Sequence, residues 1–226
     1  MTVSSKAVAC AAVEMSTVVA IDGPAGAGKS TVARLLAERM GYAYVNTGSL
    51  YRALALAAIE NNTDPANLTS DFLSAQNLEF HGADLYLNGR KLDAELRRPE
   101  CAALASIISA QPIVRDYLLP VQRNAAKNGW IVMEGRDIGT VIFPDAERKF
   151  FVTASPEERA RRRMLQKGEV AEGADFEKIL TDIKERDARD ANRAIAPLKA
   201  ADDAVIIDTT GFTIDEVIDQ MTSYLA

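Results

Sequence analysis

One histidine, His81, stands among 226 residues. A chain so poor in imidazole offers no Ser–His or Cys–His relay for nucleophilic catalysis, and His81 itself reads as a surface residue beside a turn. Cysteine is nearly as scarce. Cys10 and Cys101 make no disulfide framework, read as small buried or loop thiols, and fit a reducing compartment. No apolar run approaches the roughly 20 residues that a membrane-spanning helix needs. The stretch MTVSSKAVACAAVEM, with one lysine and an apolar run broken by Glu14, is a poor signal peptide. Residues 1–16 read as a loose N-terminal extension, with Met15 as an alternative start. An excess of positive charge is also missing: the formal net charge is -6, which disfavours a general nucleic-acid-binding role. Together these absences point to a cytoplasmic protein with no membrane and no nucleic-acid partner.

What the chain does have begins at VVAIDGPAGAGKST, residues 18–31. Gly23-x-x-x-x-Gly28-Lys29-Ser30 fits the phosphate-loop pattern G-x-x-x-x-G-K-[ST]. Glycines let backbone N–H groups turn inward and approach phosphate oxygens, and the following helix adds the positive end of its dipole. Lys29 would then reach the outer phosphates and Ser30 would ligate Mg2+. The plainer alternative is a glycine-rich turn between a strand and a helix. The setting favours the loop: VVAI reads as a buried strand, and Val32, Leu35, Leu36 and Met40 recur at helical spacing, with Gly41 placed to cap the helix.

Further strands are expected at 42–46, 130–134, 149–153 and 204–208, with helices over LYRALALAAIENN, from Pro112 onward and near 213–224. Strands alternating with helices imply a parallel sheet covered on both faces. Residues 78–92 differ: Leu85 and Leu87 alternate about Tyr86, and Asn88-Gly89 is a hairpin signal, so a small antiparallel insert is expected.

Three stretches bear on chemistry. WIVMEGRD ends a strand in Glu134, Gly135, Arg136 and Asp137. Glu134 is either an acid beside the phosphate loop, holding a metal through water, or part of a solvated strand-end turn. SPEERARRRMLQKG opens with Ser155, Pro156 and Glu158 as a capping-box helix start. Arg159, Arg162, Arg163 and Gln166 then share one side, either closing over a triphosphate or facing solvent. In DFEKILTDIKERDARDANRAIAPL, Phe176, Ile179, Leu180 and Ile183 make an apolar stripe whose next helical steps are Arg186, Asp190 and Arg193. Either that face lines a polar cleft, because buried charge is costly unless paired, or Ala188, Ala191 and Ala194 turn inward and the charges stay outside as an i,i+4 pair.

The missing relay suits one kind of acceptor. A nucleoside monophosphate has a second pKa of about 6 and is mostly dianionic at neutral pH. It needs positioning and charge neutralisation rather than a base.

VVAIDGPAGAGKST, NTGSLYRALA, MEGRDIGTVIFPDA, SPEERARRR and IKERDARDANRAIAPL, in this order from about residue 17 to the C-terminus, together resemble the bacterial cytidylate kinase family. The resemblance implies an α/β phosphate-loop NTPase of three layers, with a central parallel sheet of about five strands. A single domain over 17–226 would carry a monophosphate-binding insert at about 47–111 and a short helical lid at about 156–175. It implies transfer of the γ-phosphoryl of ATP to CMP or dCMP, with Mg2+, by a monomer.

Residue by residue, the resemblance puts ATP on Gly23, Pro24, Ala25, Gly26, Ala27, Gly28, Lys29, Ser30 and Thr31, with Arg159 and Arg163 in the lid above it. Thr47 and Arg52 lie at the acceptor, with Arg52 on the monophosphate. Ser106, Arg115 and Asp137 surround cytosine. Arg136, Arg186 and Arg193 contact phosphates across the transfer line, where they act in catalysis with Lys29, and Asp190 takes the ribose. The metal would be held by Ser30 through ATP, with Glu134 acting through water. Two positions depart from the family pattern: Thr47 where serine is common, and Glu134 where aspartate is. The cytosine set is chemically apt. A carboxylate accepts from the exocyclic amine while Arg and Ser donate to the ring acceptors, and uracil reverses that pattern.

Two other readings remain at this point. Another small-molecule kinase of the same sheet type, such as an adenylate kinase, is disfavoured by the cytosine set and the insert. A nucleotide-gated switch is disfavoured because no N-K-x-D element occurs.

Overall fold

The apolar run before the phosphate loop forms β1 (Val18–Asp22), and all five of its residues are buried. That continuous burial is what a parallel sheet covered on both faces demands. The computed structural model describes residues 18–127, 129–165 and 175–225. The extension expected over 1–16, with Cys10, and the later part of the expected lid, with Gln166, lie outside the described residues.

From β1 the chain passes through the loop into α1 (Lys29–Met40), which Gly41 ends in the left-handed conformation, and then into β2 (Ala43–Asn46) and α2 (Gly48–Glu60). The short α3 (Ser70–Ser74) precedes β3 (Leu78–His81), β4 (Asp84–Leu87) and β5 (Arg90–Leu92), a three-stranded antiparallel sheet. Asn88 and Gly89, with φ of 51° and 78°, make the expected hairpin turn. Next come α4 (Pro99–Ile108), α5 (Pro112–Ala125), β6 (Ile131–Glu134) and β7 (Arg148–Thr153). The chain continues with α6 (Pro156–Leu165), α7 (Phe176–Ala191), β8 (Val205–Asp208) and α8 (Ile214–Ser223).

The main sheet has five strands in the order β2-β6-β1-β7-β8, all parallel. Its register sets Ile21 level with Glu134 and Phe150, so the phosphate loop emerges beside the segment that follows β6. One face packs Val19, Ile21 and Phe150 against Leu36 of α1 and Ile218 of α8. The other packs Ala20 and Met133 against Ile138 and Ile142. The insert has a core of its own, in which Leu54 of α2, Leu85 and Leu87 of the small sheet, Ile108 of α4 and Leu118 of α5 meet. A fourth cluster joins α6 to α7 through Ala160, Ile179, Leu180 and Ile183. Two lobes and a helical pair thus surround the C-terminal ends of the parallel strands, where ligands of open α/β sheets bind.

The capping box expected at Ser155 forms only in half. Ser155 Oγ accepts from the Glu158 N–H at 3.2 Å, but the Glu158 carboxylate turns to Arg162 instead of back to the cap. A complete box closes the start of α8, between Thr213 and Glu216. His81 ends β3, exposed, with its ring against Tyr86 and Glu79. No helix among the described residues is long and apolar enough to cross a membrane.

Candidate active site

The phosphate loop is held open by close backbone packing. Gly23 has φ of 145°, and a Cβ there would lie 1.9 Å from the Val152 carbonyl oxygen, so only glycine lets the chain turn away from β7. The first turn of α1 has no side-chain cap and no acidic residue. Lys29, Ser30 and Thr31 of that turn line the cleft, where a helix start offers N–H groups without intrahelical partners and the positive end of its dipole. Lys29 is buried and donates to the Pro24 carbonyl at 2.6 Å. Burial, and next the nearby Arg136, push its ammonium well below the usual lysine range, although Glu134 and Asp22 attract it. A lysine so placed gains from an anion that supplies the missing countercharge.

Glu134 stands opposite, at the end of β6. Its Oε2 accepts from Ser30 Oγ at 3.0 Å and its Oε1 from the Tyr44 hydroxyl at 2.5 Å. Burial, and after it the Glu134 carboxylate, hold the Tyr44 phenol above its usual range, so it remains a donor. The backbone around Glu134 is fixed by Thr47, whose Oγ1 donates to the Glu134 carbonyl at 2.8 Å. The next residue, Gly135, has no room for a side chain: a Cβ would lie 2.7 Å from both Thr47 Oγ1 and Ile138 Cδ1. Ser30 and Glu134 are oxygen donors of the kind a hard divalent cation takes, so these residues fit the metal that travels with a nucleoside triphosphate.

Beyond Gly135, Asp137 pairs with the Arg115 guanidinium, and both are buried. Burial raises the Asp137 carboxyl above its usual range even though Arg115, Arg193 and Arg136 pull it down. Arg115 also donates to the Ser109 carbonyl at 3.2 Å and lies over the Tyr51 ring. Ser106 Oγ is sealed from water and has no hydrogen-bond partner among the described residues. The segment itself hangs from β1, where Asp22 Oδ1 and Oδ2 accept from the N–H groups of Ile138 and Gly139, both at 2.8 Å.

The apolar stripe of α7 runs on into charge. Ile179, Leu180 and Ile183 are buried, Arg186 lines the cleft, and Asp190 is 1% exposed. Ala188, Ala191 and Ala194 are exposed, which removes the alternative in which they turn inward. Asp190 joins two guanidiniums, taking Arg136 Nε at 3.1 Å on one oxygen and Arg193 on the other. Burial raises the Asp190 carboxyl, but Arg136, Arg193 and Arg186 more than offset this and hold it below its usual range. Arg186 keeps a buried Nε that has no hydrogen-bond partner among the described residues. Burial, and then Arg136, lower its guanidinium to about 9.

These elements meet in one cleft lined by Lys29, Arg52, Arg115, Arg136, Arg163, Arg186 and Arg193, against only Glu134, Asp137 and Asp190. In a chain of net charge -6, so strong a local surplus of desolvated cation is a site for anions. Ala25, Gly26, Gly28, Ser30, Thr31, Thr47 and Ser106 line the same cleft, so most of the expected site residues come together.

The structure places the remaining expected residues behind that surface. Gly23 is packed on β7, the Pro24 carbonyl takes Lys29, and the Ala27 carbonyl accepts from Arg162 and Thr209. Arg159, expected over ATP, is 3% exposed. Its donors are spent on the Ala154 and Ala25 carbonyls and on both oxygens of Asp187, at 3.0 and 2.6 Å. It supports the loop from the rear because the first turn of α6 packs against the loop backbone, whereas Arg163, one turn on, lines the cleft. Sequence reasoning gave no role to Asp22, Tyr44, Tyr51, Ser109 or Asp187. Only Asp22 carried a local signal, as an acid ending a buried strand directly before the loop.

A family model described as cytidylate kinase matches residues 19–226. A cytidylate kinase of Clostridium botulinum (strain Langeland / NCTC 10281 / Type F) is 43% identical over 209 residues, 92% of this chain and 96% of its own. One of Thermosipho melanesiensis (strain DSM 12029 / CIP 104789 / BI429) is 46% identical over 203 residues, 90% of this chain and 94% of its own. Among solved structures, an uncharacterized protein from Eubacterium ventriosum ATCC 27560 aligns with a TM-score of 0.50 and 16% identity, over 92% of this chain and 97% of that one. That last likeness is one of fold alone.

Proposed function

The chain belongs to the cytidylate kinase family and is a phosphotransferase, and from that premise we propose that it transfers the γ-phosphoryl of ATP to CMP or dCMP, giving ADP with CDP or dCDP. One observation carries the reading: the cleft joins two chemically different ends across a run of cations. At one end are the uncapped start of α1 and Lys29. At the other are Asp137, Arg115 and the unpartnered Ser106.

ATP would lie with its phosphates on the loop at 23–31, Lys29 turning from the Pro24 carbonyl to the outer phosphates. CMP would lie on the insert side, its phosphate toward Arg52 and its base against Asp137, Arg115 and Ser106. Asp137 would accept from the cytosine amine, and Ser106 would use its idle hydroxyl on a ring acceptor. The acceptor arrives already mostly dianionic, with a second pKa of about 6, so no side chain has to remove a proton. Arg136, Arg186 and Arg193 would face the charge that spreads over the transferring group. Asp190, placed for the ribose by resemblance, also fixes Arg136 and Arg193 in advance, so they need no reorganisation at the moment of transfer. Ser30 and Glu134 would hold the cation that accompanies ATP. Mg2+, when bound there, supplies charge neutralisation on the phosphates. The same reading makes the working unit a monomer and its compartment the cytoplasm.

The test is ADP release from ATP and Mg2+ with CMP, dCMP, UMP or AMP as acceptor. Turnover with CMP or dCMP well above that with UMP and AMP is expected; no turnover with either cytosine nucleotide would overturn the proposal.

A further inference from the structure

Glu134 carries its carboxylate on two methylene groups, one more than an aspartate would. A longer side chain has one more torsion to fix and loses more rotamer freedom when held. In the structure both of its oxygens are held, from two different elements. The Tyr44 hydroxyl, on β2, donates to Oε1 at 2.5 Å, and Ser30, in the first turn of α1, donates to Oε2 at 3.0 Å. The Tyr44 ring packs against the core formed by Ile21, Leu36 and Val132, so the hydroxyl is delivered from a fixed platform. The strand register brings this about, because Tyr44 lies beside Val132 and Asn46, two residues on, beside Glu134.

We propose that Tyr44 is a positioning residue: its hydroxyl holds one oxygen of Glu134 so that the other stays on Ser30, at the mouth of the phosphate loop. The proposal rests on the reading of Ser30 and Glu134 as the cation side of the nucleotide site. Without the phenol, Glu134 would sample rotamers that carry Oε2 away from Ser30, and the cation–nucleotide pair would meet an unorganised carboxylate. Outer partners of this kind orient the groups that touch a metal, and their loss typically costs about 10–100-fold in affinity.

The test uses the full chain with Tyr44→Phe, Glu134→Asp and the double variant. Phe keeps the ring and its packing and deletes only the hydroxyl. Mn2+ serves as a spectroscopic stand-in for Mg2+, and its binding with a non-hydrolysable ATP analogue is followed by the loss of the free-ion electron paramagnetic resonance signal. In parallel, steady-state rates are taken against Mg2+ and CMP, and thermal midpoints are recorded. Tyr44→Phe is expected to weaken Mn2+–nucleotide binding roughly tenfold, to raise the Mg2+ requirement in step, and to leave KM for CMP and the thermal midpoint close to wild type. In the Glu134→Asp background, whose carboxylate is drawn back from Tyr44, removing the hydroxyl should change little more; such non-additivity marks residues that act through one another. Equal Mn2+–nucleotide binding by wild type and Tyr44→Phe overturns the proposal and leaves the functional reading intact. An undiminished effect of Tyr44→Phe in the Glu134→Asp background overturns it as well. A wild-type protein that binds no Mn2+–nucleotide overturns both the proposal and the reading beneath it.

Discussion

The Asp22 carboxylate accepts the N–H of Ile138, 116 residues further along the chain, at 2.8 Å. The end of the central strand, directly before the phosphate loop, thereby carries the segment that presents Arg136 and Asp137. The loop side of the cleft and the segment after β6 are tied by one buried acid.

That acid should be visible in stability against pH. Burial, set against the N–H groups of Gly139 and Ile138, raises Asp22 from 3.8 to about 6. Between those values the folded chain holds a proton that the unfolded chain has lost, so the Asp22 contribution to stability falls as pH rises through the window and is flat above it. The slope for one proton is at most about 1.4 kcal/mol per pH unit. Denaturant unfolding of wild type and Asp22→Asn at pH 4, 5, 6 and 7 isolates the term. The wild-type advantage should shrink from pH 4 to 6; a constant difference would mean an ordinary carboxyl.

Arg186→Met should separate activity from stability. The arginine is desolvated, its Nε is unpartnered, and the fold disfavours its charge. Removing it should leave the thermal midpoint unchanged or raise it, while kcat/KM falls by roughly 10²–10³, the scale expected for a lost charge-stabilising donor. A variant with wild-type turnover would take Arg186 out of the reaction.

Asp137→Asn keeps the shape of the side chain and puts an amide donor where uracil offers a carbonyl. The ratio of CMP to UMP use should fall by roughly tenfold to a hundredfold, the scale of one base-edge contact, with ATP affinity nearly unchanged. Equal loss toward both nucleotides would count against the base assignment, and competition assays with the two acceptors read it directly.

Gly23→Ala should fail for a steric reason, since the added carbon would sit 1.9 Å from the Val152 carbonyl oxygen at a φ of 145°. A loss on the order of 3 kcal/mol is expected from forced overpacking and strain, measured by urea unfolding. Nucleotide protection against thermal unfolding should be lost with it.

The sheet was legible because its strands are short apolar runs bounded by turn residues, and the insert because Asn88-Gly89 punctuates an alternating pattern. The charged half of α7 was legible in part. Helical steps from Ile183 reach Arg186, Asp190 and Arg193, but only packing decides between that face and the alanine face, and the alanines are exposed. Arg159 and Arg163 lie on one side of α6, so periodicity cannot tell the buried support from the cleft residue. The distinction comes from Asp187, 28 residues away, and from the Ala25 carbonyl. Tyr44 was hidden for a similar reason: an aromatic in a strand is ordinary, and its partner Glu134 is 90 residues distant. Local spacing encodes elements, whereas partners across the sheet follow from register.

The fork between Arg159 and Asp187 has a mechanical meaning. One guanidinium grips the rear of the loop at Ala25 and, by both oxygens of Asp187, the helix α7, where Arg186 is the residue next to Asp187. The glycine-rich loop and the helix that carries Arg186 are therefore bolted to a single bracket. A shift of one against the other would strip a buried cation of its counterion, so their separation carries an electrostatic cost.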